Sequence, residues 1–175
     1  MVIQNHPKLG FSDSLPLNDN DNQVFTNWNI GNSGTIGRVL RLRRYRAFRK
    51  LCRFLLCLLS VDIPESVRFG TGVIFVHNGY GTVLNCNTTI ECNVQIYPGV
   101  TIGRGDVYNE YNASDFDGFL IKEGAILCSG CKIISSHGKL IVGKGTIIGA
   151  NAVLTCSTGD NEIWAGIPAK MIKKL

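Results

Sequence analysis

A chain of 175 residues, 45% hydrophobic and 18% charged, can bury one substantial core and is too short for several domains. Its net charge of +5 is local: eight of the 18 basic residues fall between Arg38 and Arg53, which excludes a basic groove for nucleic acid. Seven cysteines without framework spacing exclude a secreted disulfide scaffold and predict a reducing, cytoplasmic setting.

Residues 1–24 are polar and lack the apolar core of a signal peptide, so a loosely held tail without a leader is expected. Residues 35–59, TIGRVLRLRRYRAFRKLCRFLLCLL, contain no proline and are rich in Leu, Arg and Ala, which predicts helix. Leu40, Tyr45, Phe48, Cys52, Leu55 and Leu59 recur at helical spacing with arginines between them. Two readings fit that pattern. The apolar stripe packs on the domain that follows, with the arginines solvated, or residues 38–59 lie as a basic amphipathic helix on an anionic membrane face. The uncharged stretch Phe54 to Val61 is too short to cross a bilayer. The expected division is therefore a tail and basic helix over 1–60 and a second unit over 61–175.

That second unit repeats every six residues. Bulky side chains stand at Ile63, Phe69, Phe75, then Leu84, Ile90, Ile96, Ile102, then Ile121, Leu127, Ile133, then Val142, Ile148 and Leu154. Small or β-branched residues follow four places later, at Val67, Val73, Thr88, Val94, Val100, Ala125, Cys131, Thr146 and Ala152. A period of six fits neither a strand nor a helix running on; it fits short strands joined by tight turns. The expected fold is an all-β solenoid, a left-handed parallel β-helix of hexapeptide repeats with a short N-terminal α-helical segment. Cys128 and Cys131 form a CSGC, but Cys131 occupies an inward slot, so a packed thiol is expected there. Cys86 and Cys92, six apart, are expected to stack on one outer edge.

The repeat breaks three times: a step of nine from Phe75 to Leu84, nineteen from Ile102 to Ile121, and nine from Ile133 to Val142. A regular solenoid has no folding reason to extrude residues, and loops on rigid scaffolds are where sites collect. Counting faces in threes puts the second and third breaks on one corner and the first on another. A threefold assembly would bring the two corners together between copies. The first break carries His77 among glycines. Imidazole is the side chain whose ordinary titration range spans neutrality, so it suits a general base. Asp62, fifteen residues earlier, falls one coil below and would orient it as the Asp of a triad does; a structural hydrogen bond is equally compatible. The nineteen-residue step mixes Asp106, Glu110, Asp115 and Asp117 with Tyr108, Tyr111 and Phe116. Carboxylates for hydroxyls and aromatics for sugar faces suit an acceptor lid; a plain acidic loop fits as well.

VDIPESVRFGTGVIFVHNGYGTVL resembles the segment of serine acetyltransferases in which an Asp precedes the catalytic His by the same fifteen residues. The ending WAGIPAKMIKK is similar to the closing G-x-P-A-K/R of hexapeptide acetyltransferases, and IKEGAILCSGCKI and GKGTIIGANAVL to their last coils. NWNIGNSGTIGR resembles the D-W-x-x-N…G-R opening of short relatives from capsule and O-antigen clusters. The resemblance implies His77 as base and Asp62 as its partner, with acetyl-CoA as co-substrate and no metal. It implies that Ser129, Gly130, Gly149 and Ala150 hold the pantetheine arm in a groove between copies, with Lys170, Lys173 and Lys174 towards its phosphates.

The sequence departs from serine acetyltransferases in three ways. The acidic residue before the catalytic His is Val76, the second Arg-His pair falls on Asp117 and Gly118, and the long N-terminal helical domain is missing. The implied acceptor is then a saccharide hydroxyl, free or lipid-linked, met by Asp115, Asp117, Tyr111 and His137. In this reading His137 follows Gly118 one coil later, with a filled turn as the alternative. A small amino-acid acceptor or a non-catalytic scaffold are the competing readings. A carbonic-anhydrase-like zinc site is disfavoured, because His6, His77 and His137 are the only histidines and none are close in sequence.

Overall fold

Each hexad folds into a short strand that contains or ends on its bulky residue, and the strands fall into three sheets visited in fixed rotation. In this computed structural model residues 34–106 and 115–175 are described. The tail through residue 33, with most of the NWNIGNSGTIGR segment, lies outside them, as do Tyr108, Glu110 and Tyr111.

The first sheet stacks β1 (Arg68–Phe69), β4 (Thr88–Ile90), β7 (Phe116–Ile121) and β10 (Gly138–Val142). The second stacks β2 (Ile74–Phe75), β5 (Gln95–Ile96), β8 (Ile126–Leu127), β11 (Ile147–Ile148), β13 (Glu162–Ala165) and β14 (Lys170–Lys174). The third stacks β3 (Val83–Leu84), β6 (Thr101–Arg104), β9 (Lys132–Ser135) and β12 (Val153–Leu154). All pairs are parallel except β13 with β14. Register puts like on like: Ile90 beside Ile121, Ile96 beside Leu127, Ile102 beside Ile133.

The bulky set from Phe69 to Leu154 is at most 2% exposed, and the small set is equally enclosed. Burying one such Leu, Ile or Phe contributes about 1.5–3 kcal/mol, and each depends on the coil above and below. Thr82 fills a further small slot, its hydroxyl donating to the Gly79 carbonyl at 2.7 Å. The second and third breaks share the corner between the third and first sheets, and the first break lies between the second and third sheets.

The basic segment differs from the continuous helix expected. It forms α1 (Gly34–Leu42) and α2 (Arg49–Leu58) with a break between them. The N–H groups of Arg43, Arg44 and Tyr45 donate three residues back, to Leu40, Arg41 and Leu42, which tightens and ends the first helix. Arg43 turns inward there, its Nη1 donating to the Ile63 carbonyl at 2.7 Å. The helices plug the first coil with Ile36, Val39, Leu40, Cys52 and Leu56. Tyr45 and Phe48, assigned from spacing to the packed stripe, are half-exposed because they sit in the break. A second apolar face stays outside: Leu51, Phe54 and Leu58 are 50%, 60% and 65% exposed.

Two smaller expectations are also corrected. Cys86 and Cys92 do not stack, because six residues advance the chain to the next sheet rather than the next coil. Phe116 is not presented to solvent; it is buried edge-on against Phe119 at 5.2 Å, with the Arg104 guanidinium 4.6 Å from its ring. Cys131 is the packed thiol expected, its pKa pushed up to about 12 by burial.

Candidate active site

His77 projects from the corner that links β2 to β3 and is exposed. The chain turns sharply there: His77 and Asn78 both take left-handed backbone angles, with φ of 49° and 64°. Side chains other than glycine adopt this region at a cost, and such strain gathers at functional sites. The loop is held from two sides. Thr82 donates back to Gly79 through both its N–H and its hydroxyl, and the Thr35 N–H at the start of α1 donates to Asn78 Oδ1 at 2.9 Å. The His77 ring meets Tyr97 of the next coil edge-on, centroids 6.1 Å apart. Asn78, Thr82 and Tyr97 were missed by the sequence reading; a stacking partner one coil on was the available signal for Tyr97.

The backbone of Asp62 pairs with β3: its N–H donates to the Thr82 carbonyl and its own carbonyl accepts from Leu84, both at 2.9 Å. The chain therefore sets Asp62 beside the end of the His77 loop. Their side chains make no ion pair within 4 Å, and Asp62 instead faces a cavity of about 650 Å³. Arg43, Arg49 and Arg53 line that cavity with Glu65, none of which the sequence reading placed in a site.

The residues assigned to the pantetheine arm lie along the same corner as His77, in later coils. The N–H of Gly99 donates to Tyr80, that of Gly130 to Pro98, and that of Asn151 to Ser129, at 2.8, 2.8 and 2.9 Å. This ladder carries one edge from the His77 loop up to Ser129 and Gly130, then Gly149 and Ala150. Ser129 stands two coils above the loop, about 10 Å at one strand spacing per coil. Ser129 and Ala150 are exposed along this edge. Lys170, also exposed, starts β14 opposite Ala165 at the far end. Those ladder N–H groups are spent on the neighbouring coil.

The residues assigned to the acceptor lie elsewhere. Asp115, Asp117 and His137 are exposed at the corner between the third and first sheets, and Tyr111 lies outside the described residues. Within one copy they do not meet His77. Asp106 is taken up by a bidentate pair with Arg104, whose hydrogen bonds hold its carboxyl below the usual range. The expected place of His137 is corrected by register. Gly138 sits beside Phe116 and Lys139 beside Gly118, with an irregularity between, so Lys139 rather than His137 stands over Gly118. Its carbonyl accepts from the Ser135 hydroxyl at 3.0 Å, a turn closing on itself. Among the described residues no three His, Cys, Asp or Glu side chains group closely enough to hold a metal ion.

No family model matches the chain. A serine acetyltransferase of Haemophilus influenzae is 31% identical over 120 residues, covering 66% of this chain and 40% of the relative. One from Staphylococcus epidermidis is 27% identical over 137 residues, covering 78% and 60%. Among solved structures, serine acetyltransferase from Brucella abortus in complex with coenzyme A superposes with a TM-score of 0.62 at 26% identity, covering 76% of this chain and 51% of that one. The chain is similar to serine acetyltransferases. It spans 40% to 60% of the length of those two sequence relatives and about half of that solved chain.

Proposed function

We propose that this chain is an acetyl-CoA-dependent O-acetyltransferase, with left-handed coils over residues 61–175 and His77 as its general base. One observation carries the reading: the strained, exposed His77 loop opens the same edge on which Ser129 and Ala150 stand in later coils. Acetyl-CoA laid along that edge brings its thioester down to the imidazole. His77 takes the proton from an acceptor hydroxyl as the oxygen attacks the thioester carbonyl. The oxyanion then collapses, the C–S bond breaks, and the imidazolium returns its proton to the departing thiolate, giving the ester and coenzyme A. Asp62 orients His77 once acceptor binds, since catalytic hydrogen bonds often tighten only in the complex.

The acceptor in this reading is a saccharide hydroxyl of a surface polysaccharide. Val76 puts an apolar side chain where a serine enzyme has a carboxylate, and Gly118 lies inside β7, where a side chain has no room. Serine as acceptor is the second reading, and the names of the relatives favour it. Coenzyme A release by purified protein separates them. The kcat/KM for L-serine should fall at least about 100-fold below that for a saccharide acceptor, because the serine ammonium and carboxylate would go unmatched. Efficient O-acetylserine formation overturns the saccharide reading and restores the second.

The acceptor corner and the His77 corner lie apart within one copy, and a homotrimer is the assembly that would bring them together between copies. The exposed Leu51, Phe54 and Leu58, with Arg44, Arg46 and Lys50 exposed in the same segment, support a peripheral stand on the anionic inner face of a membrane. Among the described residues no helix is long and apolar enough to cross a membrane. Centrifugation tests both points. The protein alone should sediment as a trimer, an active monomer refuting it. It should also float with anionic vesicles but not neutral ones, and Phe54→Ser should weaken flotation.

A further inference from the structure

The cavity beside Asp62 has a chemistry that acetyl transfer does not require. Three arginines reach it from two elements. Arg49 and Arg53 are one turn apart on α2, and Arg43 enters from the break before it. Glu65 neutralises Arg49 at 3.4 Å, while Arg43 and Arg53 make no ion pair within 4 Å among the described residues. Burial pulls the Arg43 guanidinium below its ordinary pKa, an unfavourable desolvation that Glu65 only partly offsets. Its hydrogen bond to Ile63 uses one of five N–H donors. Ser60 adds a hydroxyl to the lining, and Leu56, Val61 and Pro64 add apolar surface to it. At about 650 Å³ the space is of the size that takes a small ligand.

We propose that this cavity binds a phosphate or diphosphate group of the acceptor, through Arg43 and Arg53, and so positions its sugar beside Asp62 and the His77 loop. The proposal rests on the acetyltransferase reading for its purpose, but not for its binding chemistry. Guanidinium forks meet phosphate oxygens in pairs, which a lone ammonium cannot do. A phosphate bearing an apolar chain or a nucleoside fits a lining that combines arginines with Leu56 and Val61. Both a lipid-linked and a nucleotide-linked saccharide have that chemistry.

Calorimetry on the full chain with inorganic pyrophosphate tests the site. Saturable binding is expected, weakened at least about tenfold, or ~1.4 kcal/mol, by Arg53→Gln and by Arg43→Gln, and unchanged by Lys139→Gln in β10, three coils along the first sheet from β1. Arg53 is exposed on α2, so its variant stays informative if Arg43→Gln misfolds. Either a nucleoside diphosphate or a short-chain lipid phosphate should displace pyrophosphate, naming the source. Absence of saturable binding, indifference to Arg53→Gln, or displacement by neither compound overturns the site. Failure of the protein to bind coenzyme A or release it from acetyl-CoA would defeat the acetyltransferase reading and leave pyrophosphate binding standing.

Discussion

His77→Ala should lower kcat for acetyl transfer by about two to four orders of magnitude, the usual contribution of a positioned general base. The coils should remain intact, because the ring is exposed and its described contact is the edge of Tyr97. Removing it also relieves no buried group. Steady-state coenzyme A release, with circular dichroism as the folding control, measures both halves. Asp62→Asn should cost less, since the base stays in place and loses only its orienting charge. A His77→Ala protein with near-normal kcat would mean that the strained loop serves something other than chemistry.

Gly118→Ala should be the most damaging small substitution in the first sheet. Gly118 has a φ of 101°, and a Cβ there falls well inside contact distance of the Asn87 carbonyl oxygen. That oxygen is the acceptor for the Phe119 N–H at 2.9 Å, so the clash strikes a rung of the β4–β7 ladder. Backbone strain and forced displacement together should cost roughly 2–5 kcal/mol. For a chain of this size that lowers Tm by roughly 5–15 °C in a thermal melt. Gly103→Ala is the control: no atom lies within 4 Å of its added Cβ and its φ is ordinary, so stability should stay within about 0.5 kcal/mol. Equal melting of the two variants would refute the account.

Gly118 also shows where sequence reading stops. The hexads were legible because every coil makes the same demand, one bulky and one small residue inward, and the burial of Phe69 through Leu154 follows that demand. Once the beat is broken nothing local fixes the register. Within the nineteen-residue step Phe116 reads as a loop aromatic, yet it opens a strand of six residues, where β1, β2 and β5 have two, and packs on Phe119. His137 is displaced from Gly118 because Lys139 takes that place in the register, which no periodicity announces.

The catalytic candidates were legible for a different reason. A histidine among glycines at a broken repeat is a local signal, and its fifteen-residue distance from Asp62 is a coil-length signal. The arginine cavity was not. Its members stand in a segment of uniformly high helix propensity, and the bond from Arg43 to Ile63, twenty residues on, turns the charge inward at the break between the helices. Tertiary contacts of that kind leave no spacing behind.

The far end of the stack carries a last consequence. A pile of parallel strands presents an unpaired rung at each terminus, which is a template for a second molecule to add to, and so for fibre growth. At the near end α1 and α2 close the first coil over Ile36 and Leu56. At the other, β14 runs back antiparallel to β13, and Lys170, Lys173 and Lys174 occupy this outermost strand, every residue of which is exposed. A newcomer docking there would have to desolvate several like charges against its own. The same lysines that face a coenzyme in the proposed reading thereby keep the outer edge of the second sheet from recruiting its neighbours.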